Sequence, residues 1–294
     1  MIVRDLAEGV EVLAPAKLNL FLEILGRRPD GYHEIETLMV AVALHDRLVF
    51  ADEPSGEVAL SCDDPTLPTG RENLVMKAAI RLKESSGCPR GATIRLEKSI
   101  PAQAGLAGGS SDAAATLVAL NRLWRLETPR DRLATLASEI GSDVAFFLDG
   151  PMAVCRGRGE RVEPLPPLGS SLSFVLVCPP VGLSTAEVYR NLTPPDRPRP
   201  IGDVLDALAR EGPAVLGRSL FNRLQPTAEA LCPALGRVRQ ALEDLCPSHL
   251  DGHLMSGSGS AYFGLARNPA AADDAARRLE TLGLGRVRVV TCGP

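Results

Sequence analysis

Between Pro101 and Ser111 the chain reads Pro-Ala-Gln-Ala-Gly-Leu-Ala-Gly-Gly-Ser-Ser, with Asp112 and a run of alanines behind it. Small residues let a backbone come close to a ligand. A helix begun behind them turns its unpaired N–H groups and positive dipole end back on the loop. That combination suits an anion, and a polyphosphate above all. The candidate phosphate-binding residues are therefore Pro101, Ala102, Gln103, Ala104, Gly105, Leu106, Ala107, Gly108, Gly109, Ser110 and Ser111. The stretch is not a Walker A sequence, because no Gly-Lys-Ser/Thr closes it, and its glycine spacing is not G-x-G-x-x-G. Read alone, a flexible loop before a Ser-capped helix from Ala113 to Leu120 explains it equally well.

Two other places carry groups that phosphoryl chemistry uses. Asp143, in Gly141-Ser142-Asp143-Val144-Ala145-Phe146-Phe147, is an acid between a glycine and an apolar run. Such a group can serve as a general base toward a hydroxyl; by itself it reads more simply as the cap of a short helix. Lys17 and Asn19 share one face of an alternating strand, with Phe21, while Leu18, Leu20 and Leu22 take the other. Lys17 can offset phosphoryl charge or hold a carboxylate ionised; the plainer reading is a lysine on the wet face of an edge strand. Met255-Ser256-Gly257-Ser258-Gly259-Ser260 is a tight turn that either approaches a ligand by its backbone or simply joins a hairpin. His249 and His253 read as a solvated loop, and Arg156, Arg158 and Arg161 as a hairpin's basic cluster.

The elements that must position these groups alternate irregularly. Val10–Leu25, Ile35–Leu44, Arg47–Asp52, Ala92–Ser99, Ser173–Cys178 and Arg286–Val290 read as extended, and Gly252–Leu265 as extended pieces around a turn. Asn73–Ser85, Arg130–Ile140, Val204–Arg210, Leu231–Leu245 and Ala270–Leu282 have helical character, and Val162–Ser171 is a linker candidate. This mixture implies an α+β fold in two lobes rather than a doubly wound sheet.

Bulk composition sets the outer bounds. At 294 residues and 45% apolar content the chain can bury a full core. A net charge of −4 argues against a general nucleic-acid binder. Seven widely spaced cysteines without a C-x-x-C pair read as free thiols in a reducing cytosol. The charged start, Met1 to Asp5, lacks a signal peptide's apolar core, and no run of about 18 apolar residues offers a membrane span.

Taken together, the pieces resemble the GHMP family of small-molecule kinases. The resemblance rests on their order: an early Pro-Ala-Lys-Leu-Asn-Leu strand, the central loop through Asp112, and a late Gly-Ser-Gly turn. The segments Asp30 to Thr37, with Gly31-Tyr32-His33, and Gly141 to Phe147 point to a branch acting on a cytidine diphosphate compound. It spans nearly the whole chain. It implies a two-lobed fold with the active site in the cleft between lobes: an N-terminal GHMP domain over 1–163, holding the ATP loop, and a C-terminal one over 164–294. It further implies a cytoplasmic enzyme moving the γ-phosphoryl group of ATP to the 2-hydroxyl of a methylerythritol moiety in the non-mevalonate isoprenoid pathway. In that reading Asp143 accepts the hydroxyl proton and Lys17 orients it. Asn19, Tyr32, His33 and Tyr189 line the cytidine diphosphate half, and Mg²⁺, whose ligands stay unassigned, accompanies the nucleotide. Gln103 and Ala107 stand where the family often has small residues or glycine; Ala107 fits if its backbone avoids positive φ. Ala145 replaces a common proline.

Overall fold

The computed structural model describes residues 1–209 and 213–293. The chain forms two compact units, one of residues 1–16, 44–101 and 107–150, the other of 17–43, 102–106 and 151 onward. It passes from one to the other within two long strands, Gly9–Arg27 and His33–Glu53. Gly9–Arg27 covers the extended stretch Val10–Leu25 as one strand, while His33–Glu53 is continuous through the gap between Ile35–Leu44 and Arg47–Asp52.

In the first unit, Ile2–Leu6 pairs antiparallel with the start of Gly9–Arg27. Gly91–Glu97 pairs antiparallel with the end of His33–Glu53 and parallel with Val58–Cys62. Leu74–Ser86, Gly108–Leu123, Arg130–Ile140 and Val144–Asp149 are helices that pack on one another. Asn73 caps the first of these, its side chain accepting from Val75 N at 2.9 Å.

The second unit holds a four-stranded antiparallel sheet in the order Leu250–Met255, Tyr262–Ala266, Leu172–Cys178, Arg286–Cys292. Leu172–Cys178 is buried at every position, as a central strand must be. Helices Ala234–Glu243 and Pro269–Thr281 cover the sheet. Ile35 to Val40 pairs with Met152–Gly157, which forms a hairpin with Arg161–Pro164; Phe21 and Leu22 pair parallel with Phe221 and Asn222. Mixed helix and strand in this arrangement is the α+β architecture expected.

Several local expectations change. The stretch Leu231–Leu245 is two helices, Gln225–Leu231 and Ala234–Glu243, because Pro233 cannot continue the first. The linker candidate begins inside the strand Arg161–Pro164. Val204–Arg210 is the helix Gly202–Ala209; Arg210 lies outside the described residues. His253 stands in the strand Leu250–Met255 with Nδ1 buried, not in a solvated loop, while His249 does lie in the turn ahead of that strand, partly buried and paired with Asp274 at 2.6 Å. Among the described residues no helix is long and apolar enough to cross a membrane.

Candidate active site

Lys17 and Asn19 lie in the second unit, and neither faces water: each is 3% exposed. The wet-face reading fails because both faces of the strand are covered. On the one carrying Lys17 and Asn19 the cover is the turn at Ser256 to Ser260, whose Ser256 Oγ accepts from Asn19 N at 3.4 Å. Lys17 Nζ donates to Asn19 Oδ1, and Asn19 Nδ2 donates to Thr37 Oγ1 at 2.8 Å.

The same turn holds part of the glycine-rich loop. Ser256 Oγ donates to Gly105 O at 3.0 Å, and Ala261 N donates to Ala104 O at 3.1 Å. Gly105 has φ 74°, and a Cβ there would stand 2.0 Å from Ser256 O. Only glycine allows that approach. The turn therefore both joins a hairpin and shapes the loop by its backbone. It is fixed in turn by Asn222, which sequence reasoning missed. The Asn222 amide donates to Met255 O at 2.8 Å and Gly257 O at 2.7 Å, and its Oδ1 accepts from Leu224 N at 2.9 Å. Next to it Arg223 forks onto the fully buried Glu23 at 2.8 and 2.7 Å.

In the first unit the loop continues as Ala107 to Ser111. The helix begins at Gly108, five residues before the expected start, so Ser110 and Ser111 lie in its first turn rather than capping it. Its first intrahelical bond is Ser111 N to Ala107 O at 3.0 Å, which leaves the N–H groups ahead of Ser111 to face outward along the helix axis. Ala107, at the cap position, has φ 54°, so the condition under which alanine fits freely here, a backbone that avoids positive φ, is not met. The chain needs a left-handed residue to turn into the helix, and alanine's single methyl makes that bearable at about 1 kcal/mol. Ala107→Gly should relieve that strain and raise stability by about 0.5–1 kcal/mol, read as a higher thermal midpoint in calorimetry. Gln103 is left-handed as well, with φ 53°.

The two ends of the loop within this unit are tied by one lysine. Lys98 Nζ donates to Asp46 and, at 2.8 Å, to Asp112. Asp46 also accepts Ser99 N at 2.6 Å and Ile100 N at 2.8 Å, just ahead of Pro101. Burial pushes the Asp112 carboxyl up to about 7 against the pull of Lys98. Lys98→Met would strand two buried carboxylates and should cost about 3–5 kcal/mol, seen as a lower denaturant midpoint. An unchanged midpoint would contradict it.

Asp143 belongs to the first unit and occupies the N-cap position of Val144–Asp149, half-buried. Its side chain makes no capping hydrogen bond, so the capping role that explained it from sequence is not what it does.

In the second unit the turn ahead of His33–Glu53 sorts two neighbours. Tyr32 points outward, 53% exposed, under the Arg158 guanidinium at 4.9 Å. His33 begins the strand and points inward with Ile35 and Thr37, while Glu34 and Glu36 on the other side pair with Arg161 and Arg156. His33 is 7% exposed, and its Nε2 is buried without a partner. Burial, then the charge of Arg27, holds its imidazole below the usual value. Its ring centroid lies 5.3 Å from that of Tyr189. A ring edge with an unused nitrogen beside an aromatic face can hydrogen-bond and stack a planar base.

Comparison with known proteins agrees with this geometry. The family of GHMP kinases N terminal domains matches residues 73–151, and that of GHMP kinases C terminal matches 204–283. The 4-diphosphocytidyl-2-C-methyl-D-erythritol kinase of Pelotomaculum thermopropionicum is 43% identical over 92% of this chain and 93% of its own. The chain belongs to the 4-diphosphocytidyl-2-C-methyl-D-erythritol kinase family of the GHMP kinases. A relative of the same name from Symbiobacterium thermophilum is also 43% identical, over 93% of this chain and 96% of its own. A crystal structure of a 4-(cytidine 5'-diphospho)-2C-methyl-D-erythritol kinase superposes with a TM-score of 0.80 at 44% identity, covering 97% of this chain and 99% of that one. A homoserine kinase from Cytophaga hutchinsonii, at 22% identity and a TM-score of 0.78, covers 100% of this chain and 98% of its own and shares the fold. As a GHMP kinase, this chain is a small-molecule phosphotransferase with ATP as its co-substrate.

Proposed function

We propose that the chain transfers the γ-phosphoryl group of ATP to the 2-hydroxyl of 4-diphosphocytidyl-2-C-methyl-D-erythritol, on the non-mevalonate route to isoprenoid precursors. The observation that carries this reading is His33, buried beside Tyr189 with Nε2 unsatisfied, which matches the edge of a pyrimidine base. Among the family's substrates, a cytidine diphosphate compound has use for such a site.

The roles follow from the chemistry each group can do. Pro101 to Ser111 cradles the ATP phosphates with backbone N–H groups and the start of Gly108–Leu123. Asp143 takes the proton of the attacking hydroxyl. Lys17 orients that carboxylate and offsets charge on the phosphoryl group in transit. Asn19, Tyr32, His33 and Tyr189 line the cytidine diphosphate half. The residues belong to two domains, 1–163 and 164–294, of a cytoplasmic enzyme that acts on small molecules rather than nucleic acid.

Mg²⁺ fits the loop as an ion held chiefly by phosphate oxygens and water. Among the described residues no three His, Cys, Asp or Glu side chains gather as a metal cage. Ser111 Oγ is buried and lacks a hydrogen-bond partner, and we assign it as the protein oxygen toward the ion. When bound, Mg²⁺ neutralises β,γ-phosphate charge.

The base site is tested by binding. Cytidine diphosphate should raise the thermal midpoint of the protein, uridine diphosphate should do so less, and His33→Ala should abolish the difference. Equal protection by both nucleotides, or none, would remove the cytosine assignment and leave only the kinase family.

A further inference from the structure

Lys17, Asn19, Phe21 and Thr37 are all buried, at 3%, 3%, 1% and 1% exposure, so water does not supply their hydrogen bonds. Thr37 Oγ1 lies 2.6 Å from Phe21 O, a carbonyl that can only accept. The single hydroxyl hydrogen of Thr37 is thereby committed to Phe21, and its oxygen is left able only to accept. The Asn19 amide atom 2.8 Å away must then be the NH₂ end. This places Oδ1 toward Lys17, whose ammonium can only donate.

We infer that Thr37 is a positioning residue for phosphoryl transfer: it locks the polarity of the Asn19 carboxamide, and through it the place of the Lys17 ammonium. The inference rests on the role proposed above for Lys17. The two ends of a carboxamide have nearly the same shape, but the chain Lys17, Asn19, Thr37, Phe21 O runs in one direction only. A half-turn of the amide would set NH₂ against ammonium and oxygen against an oxygen with no hydrogen to give. The turn at Gly257 lies close above the pair. A Cβ on Gly257 would stand 3.1 Å from Lys17 Nζ and 3.3 Å from Asn19 Oδ1. The strand's own alternation puts Thr37 there: His33, Ile35 and Thr37 share the buried face.

The test separates the hydroxyl from the volume of the side chain. Thr37→Val keeps the shape and loses the hydroxyl; Thr37→Ala loses both; Thr37→Ser keeps the hydroxyl. Steady-state kinetics of the full chain should show kcat lowered roughly 10- to 100-fold in the valine and alanine variants, the scale of a misplaced catalytic group. KM for ATP should stay near the parent value in both, and the serine variant should hold kcat within about twofold. A kcat that follows volume, with valine like the parent and serine like alanine, would overturn the inference. Lys17→Met is the control that separates it from the reading beneath. If that variant is inactive while Thr37→Val turns over normally, Thr37 alone is wrongly assigned. If Lys17→Met turns over normally, the role of Lys17 falls and the inference with it.

Discussion

Asp143→Asn should lower turnover by roughly 10²–10⁴-fold, the usual scale for removing a general base, while ATP still binds. The substitution keeps the shape and the capacity to cap a helix, since asparagine is as good an N-cap as aspartate. It removes the negative charge, and with it the ability to take a proton. A purely structural Asp143 predicts the opposite pattern, with activity intact. The side chain sits at the cap position of Val144–Asp149 without making the capping bond, so loss of a cap would not explain lost turnover. Turnover and an ATP-induced thermal shift, measured on the same preparation, distinguish the two. Lost turnover with a preserved shift is the expected result.

Gly105→Ala should remove ATP binding rather than the chemical step. An added Cβ would meet Ser256 O at 2.0 Å, and the carbonyl belongs to a turn that cannot yield easily. Asn222 holds that turn through Met255 O and Gly257 O. The loop must move instead, and φ 74° is unfavourable to alanine in any case. A displacement near 1 Å at a phosphate cradle is enough for roughly 10²-fold in kcat/KM. The expected signature is a raised KM for ATP and a lost ATP thermal shift, in a protein that still folds. An unchanged KM would show that the loop does not hold the nucleotide.

The residues proposed to do chemistry were legible because each announces itself locally. A loop of small residues before an alanine-rich helix, and an aspartate between glycine and an apolar run, need no distant partner to be noticed. What surrounds them was not legible. Lys17 looked wet because alternation reports which side a residue faces, not what covers that side; its cover comes from Ser256, 237 residues beyond Asn19. Asn222 sits in a strand of 2 residues, too short for any period to appear. The strand of 21 residues runs on through the gap read between Ile35–Leu44 and Arg47–Asp52, although strands usually end after about 5–6 residues. Intrinsic preference makes alanine comfortable at position 107 only with a negative φ, and the turn into the helix sets φ at 54° instead. Pro233, by contrast, was a visible helix breaker inside Leu231–Leu245, and the signal was there to use.

The product of the proposed reaction identifies it most directly. Incubation of the full chain with ATP, Mg²⁺ and 4-diphosphocytidyl-2-C-methyl-D-erythritol, followed by ³¹P NMR, should show ADP and a new phosphomonoester on the 2-oxygen in equal amounts, with the diphosphate bridge to cytidine intact. No new phosphomonoester from this substrate, with homoserine or mevalonate phosphorylated in its place, would contradict the proposed activity.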